Sequence, residues 1–164
     1  MILNNLKALI IHLAVCLVSI IIYRMFHSVQ IDWVSAHFEQ RHHLIMIATA
    51  CVSVLIAISL YYICANRLLA KQDSLPKAFM STGFVAAAGA VFWLNAVSFN
   101  FLSVGGTIFN SKLWMFYGFY NMHSFYLIDE FSIENAYVLL IFSLLPSVAM
   151  GFGLHHKKKE IKQL

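Results

Sequence analysis

Four long apolar runs dominate the chain, at residues 6–23, 44–64, 78–102 and 136–154. No Asp, Glu, Lys or Arg falls in the middle of any of them. A helix of about 20 apolar residues rises roughly 30 Å, the thickness of a bilayer's hydrocarbon core. The pattern therefore predicts four transmembrane helices. Polar breaks separate them. Residues 24–43 carry Asp32, Glu39, Arg41 and four histidines, with Val29, Trp33 and Ala36 at the spacing of a short surface helix. Residues 66–77 carry Asn66, Arg67, Lys71, Asp73 and Lys77, and Ser74 before Pro76 reads as a helix start.

The break at residues 107–135 differs from the others. It holds Phe109, Trp114, Phe116, Tyr117, Phe119, Tyr120, Phe125, Tyr126 and Phe131 among polar residues. Aromatic rings with polar tips favour the membrane–water interface. This segment is expected to lie along the outer surface between the third and fourth helices. Pro146 should bend the fourth helix, with Ser143 or Ser147 absorbing the freed backbone groups.

Composition supports the pattern. The 164 residues are 61% hydrophobic and 11% charged, against about 25% charged in a soluble domain. Mean hydropathy is +0.78. The fold class is an all-α polytopic membrane protein, one domain over residues 1–164. Nothing between the runs is long enough for a second domain.

Charge orients the chain. With the N-terminus inside, cytoplasmic segments hold Lys7, Arg67, Lys71, Lys77, Lys157, Lys158, Lys159 and Lys162, and outer segments hold only Arg24, Arg41 and Lys112. That bias places both termini in the cytoplasm of a multi-pass cell-membrane protein. The net charge of +4 is thereby accounted for, and a nucleic-acid partner is not expected. Leu13-Ala14-Val15-Cys16 resembles a lipoprotein box only faintly, because Val15 is bulky and the apolar run continues beyond it, so an uncleaved first helix is expected. Cys16, Cys51 and Cys64 all lie in apolar runs, and no disulfide is expected.

Small residues mark candidate packing stripes: Ala50, Ser53 and Ala57 on the second run, and Gly83, Ala87 and Ala90 on the third. Helices in lipid associate through such close-packed positions. The intramembrane polar residues are His12, which forms a stripe with Cys16 and Ser19 and is expected to bond a neighbouring helix at Ser143 or Ser147, and Asn95. His37, His42, His43 and His123 are candidate metal ligands at the outer face, though no compact ligand motif joins them. No cofactor is expected. Haem in particular needs two histidines at one depth, and His12 sits far from His42 and His43 along the spans.

Catalytic signatures such as G-x-S-x-G, C-x-x-C or a phosphate loop are absent from the sequence. The expectation is a bacterial protein that binds a membrane partner, peptide or lipid, in an accessory, immunity or resistance role. Trp114, Phe119, Tyr120, His123 and Tyr126 would form its outer binding surface, and a homo-oligomer would fit the small-residue stripes. Two other functions compete. One is a small oligomeric transporter or channel with Asn95, Ser98 or Asn100 along a path. The other is a membrane enzyme using outer histidines and acids on a lipid or cell-wall precursor.

Overall fold

The structure is a computed structural model, and it describes residues 1–33, 39–100, 112–131, 133 and 135–157, with side chains outside 26–43 and 99–113. It is all-helical. Seven helices follow in order: α1 (Ile2–Trp33), α2 (Glu39–Leu68), α3 (Leu75–Met80), α4 (Gly83–Asn100), α5 (Lys112–Tyr120), α6 (Met122–Glu130) and α7 (Ala136–His155). Within them Ile2–Met25, Leu44–Leu68 and Ala136–His155 are long and apolar enough to cross a membrane, and Gly83–Ser98 is a shorter apolar helix. The polar break after the first run is narrower than its composition suggested, because α1 continues to Trp33 and α2 begins at Glu39. Of the surface helix expected there, Val29 and Trp33 belong instead to the long helix α1, and Ala36 lies outside the described residues.

Side-chain hydrogen bonds fix how the long helices run. At one end Asn4 donates to the Ala70 carbonyl (2.8 Å) and accepts from the Ala70 N–H (3.0 Å). Its neighbour Asn5 accepts from the Phe84 N–H (2.9 Å) and donates to the Met80 carbonyl (3.0 Å). Asn66 donates to the Gly153 carbonyl at 2.9 Å. The start of α1, the end of α2, the start of α4 and the end of α7 therefore share one end of the bundle. At the other end the Trp93 indole donates to the Ala136 carbonyl (2.6 Å). Tyr23 packs on Tyr126 with ring centroids 4.9 Å apart, and Tyr126 donates to the Met46 sulfur at 3.1 Å. The long helices alternate in direction, as short connections require.

The third apolar run is not one helix. It divides at Ser81 and Thr82 into α3 and α4. The division is stabilised by α7. The Thr82 hydroxyl donates to the Ser147 carbonyl (3.1 Å), and the Ser147 hydroxyl donates to the Thr82 carbonyl (3.0 Å). Each hydroxyl thus satisfies a backbone acceptor on the opposite element, which in lipid has no water to turn to.

The aromatic segment also departs from the expected surface position. Helices α5 and α6 meet at Asn121, whose side chain donates to the Tyr117 carbonyl (3.1 Å) and whose own carbonyl accepts from the Ser124 N–H (2.9 Å) and hydroxyl (3.0 Å). The two arms form a V among the long helices. Trp114 shares a core with Ala96, Ala136 and Leu139, and Tyr126 packs with Met46 and Ala50. The vertex points inward. The Tyr120 hydroxyl there donates to the Val85 carbonyl at 2.7 Å, and the Tyr117 hydroxyl donates to the Leu139 carbonyl. Trp114, Tyr117, Tyr120, Phe125 and Tyr126 are all buried, leaving Phe116, Phe119 and Phe131 outward. Interface anchoring was the expectation; interior packing won because these hydroxyls find main-chain acceptors inside the bundle.

Candidate functional site

His12 and Cys16 stand one turn apart on α1, so both face the same way. Both are buried. The vertex of the V presses against that face. The His12 ring lies 4.4 Å from the Tyr120 ring and 5.7 Å from the His123 ring, centroid to centroid. Tyr61 of α2 closes the third side, with its ring 5.5 Å from that of His123. Four elements thus bring two imidazoles, one thiol and two phenols together.

His12 Nδ1 pairs with the Tyr61 hydroxyl at 2.9 Å, and its Nε2 lies 3.8 Å from the Cys16 sulfur. Neither Ser143 nor Ser147 is its partner, as the sequence had suggested; Ser147 is engaged with Thr82. The Cys16 thiol donates to the Tyr120 carbonyl at 3.2 Å and lies 4.0 Å from the Tyr61 hydroxyl. The backbone N–H groups of Met122 and His123, opening α6, face the same sulfur.

His123 is the residue whose position the sequence did not anticipate. It is 2% exposed. Its Nε2 lies 3.3 Å from the Phe142 carbonyl. A carbonyl only accepts, so Nε2 carries the proton and Nδ1 of the neutral ring carries a lone pair. Among the described residues that Nδ1 has no hydrogen-bond partner, and neither does the Asn121 side-chain oxygen at the vertex. An unsatisfied buried acceptor costs about 1–3 kcal/mol. One donor atom each from His12, Cys16 and His123 lies within 4.8 Å of the other two.

No known protein family, curated protein or solved structure matches the chain. The chemistry of the site must be read from its own residues.

The remaining candidates fall in different places. His37 and the side chains of His42 and His43 lie outside the described residues. His123 does not join the outer acids, because Asp129 and Glu130 sit at the opposite end of α6. Phe119 faces outward, away from the buried Trp114, Tyr120 and Tyr126. Ala50, Ser53 and Ala57 are buried in the contacts of α2. Gly83 has open space where a side chain would be, and Ala87 is exposed. The close approach on α4 is made at Gly89, where a Cβ would stand 2.9 Å from the Ser143 Cβ and 3.1 Å from the Tyr120 ring. Asn95 is exposed on the outward face of α4 and donates to the Val91 carbonyl at 2.9 Å.

One signal for the site was present in the sequence. His12 and Cys16 at i and i+4 form a polar pair on an otherwise apolar helix. Nothing local connected them to Tyr61 or His123.

Proposed function

We propose that this chain is a cell-membrane protein that crosses the bilayer four times, with both termini in the cytoplasm, and that it works by binding a small ligand within its own bundle. The fourth crossing would be made by α3 and α4. The basic residues support this orientation. Arg67, Lys71, Lys77 and Lys157 belong to the bundle end where Asn4 meets Ala70, and Lys157 donates to the Leu69 carbonyl there at 3.0 Å. Reporter tags at the two termini should both read cytoplasmic, and opposite readings would overturn the topology.

The unpartnered Nδ1 of His123 carries the binding reading. Polar groups within a bilayer are costly, and those retained there commonly line ligand or ion sites. A Phe at this position would fill the same space without the penalty. Binding is favoured because the described residues leave one buried donor atom, His123 Nδ1, open to a ligand. Native mass spectrometry of protein taken from its own membranes tests the reading. A retained mass in the wild type, absent from a folded His123→Phe variant, is expected. A wild-type chain that stays bare after incubation with both membrane extract and metal ions would overturn it.

A membrane partner is a second reading, favoured by the outward face of α4. Ala87 and Asn95 are exposed there, and an amide in lipid gains from a partner helix's acceptor. Ala87→Cys chains should cross-link through this face in the membrane. Failure to do so at high expression would remove this reading.

A further inference from the structure

We infer that His12, Cys16 and His123 form a binding site for a soft monovalent metal ion, with copper(I) as the best match. The inference rests on the binding reading above and names its ligand class.

The donor set comes first. Imidazole nitrogen and thiolate sulfur together suit zinc and copper, and sulfur favours copper(I). Metal–nitrogen bonds near 2.0 Å and metal–sulfur bonds near 2.3 Å place donors in one coordination shell roughly 3.5 Å apart. His12 Nε2 and the Cys16 sulfur are already 3.8 Å apart, and all three donor atoms lie within 4.8 Å. Closing the shell requires only small side-chain shifts.

The second shell is also built. Metal-bound histidines typically donate their other ring N–H to a fixed acceptor. The Phe142 carbonyl takes that role for His123. In the Nδ1–H tautomer of His12 the Tyr61 oxygen takes it, and the Tyr61 proton is then free to point toward the sulfur. The Met122 and His123 N–H groups also face the sulfur. His123 Nδ1, buried, supplies a lone pair that none of the described residues uses.

Charge chooses between the metals. One thiolate and two neutral imidazoles carry −1, so a monovalent ion makes the site neutral. Zinc(II) would leave +1 in hydrocarbon, where an uncompensated charge costs several kcal/mol. Uptake releases one proton, from the Cys16 thiol, as the metal–sulfur bond forms; no electron moves.

The test uses the full chain in detergent, purified without a polyhistidine tag. Copper(I) is titrated against a chromophoric chelator, with silver(I) as a redox-inert probe and zinc(II) as a comparison. One copper(I) per chain is expected, with a thiolate charge-transfer band. Cys16→Ser should weaken binding by at least about a hundredfold, and Tyr61→Phe by roughly tenfold. A chain lacking Cys51 and Cys64 should bind as the wild type does. Preference for zinc(II) over copper(I), or binding unchanged in Cys16→Ser, would overturn the inference. A retained organic mass that copper(I) and silver(I) fail to displace would sink the metal assignment and leave the binding reading standing. A bare chain that also ignores both metals would sink both.

Discussion

Asn4 exchanges two hydrogen bonds with the backbone of Ala70, donating to its carbonyl and accepting from its N–H. A carboxamide is the one neutral side-chain group that does both at this spacing. It ties the first turn of α1 to the chain just beyond α2. Asn4→Leu removes the partner of the Ala70 N–H and leaves the Ala70 carbonyl only the Gln72 amide at 3.2 Å, in part-buried surroundings, so a loss of about 1–2 kcal/mol is expected. Reversible denaturant unfolding in mixed micelles measures it. A variant as stable as the wild type would show that water reaches this end of the bundle.

Glycine positions separate contact from free space. A Cβ on Gly153 would collide with the Tyr62 carbonyl, whereas one on Gly83 meets nothing within 4 Å. Gly153→Ala should force α7 off α2 and cost about 1–3 kcal/mol. Gly83→Ala should stay within about 1 kcal/mol of the wild type. Thermal unfolding in detergent compares them directly, and the reverse order would contradict the packing described.

The aromatic segment gives a second contrast. Trp114 is 0% exposed and Phe119 is 51% exposed. Trp114→Ala should open a cavity against Ala96 and Leu139 and cost about 3 kcal/mol or more. Phe119→Ala should cost less than about 1 kcal/mol, since lipid replaces the ring. Equal losses would place the segment along the membrane surface, as its composition alone suggested.

His12 and Tyr61 should behave as a pair. Tyr61→Phe removes the Nδ1 partner, and His12→Leu removes the partner of the hydroxyl. Each should lower stability by about 1–3 kcal/mol. The double variant should fall short of the sum by about 0.5 kcal/mol or more, the sign of a direct contact. Strict additivity in the metal-free protein would mean the bond does not form.

The helical class, the three longest apolar helices and the start of α3 near Ser74 were legible because each depends on local composition. Asn95 and His12 were visible as polar interruptions of apolar runs for the same reason. The packing stripe on α4 was not legible. Gly83, Ala87 and Ala90 share one face and Val85, Gly89 and Ala96 another, and both faces are rich in small residues. Only the positions of α7 and the V decide which is covered. The aromatic segment was misplaced on the same account. Amphipathic rings suit either an interface or a polar interior, and their hydroxyls chose the interior because the Val85 and Leu139 carbonyls were within reach.

By itself the sequence determined how much chain must be helical and apolar, since hydrocarbon demands that backbone groups bond within each segment. It also determined that His12 and Cys16 share a face, which follows from the helical repeat. The tertiary structure decided that His123 joins them. That meeting depends on a turn at Asn121 and on acceptors offered by α2 and α7, and contacts between distant segments leave no period in the sequence.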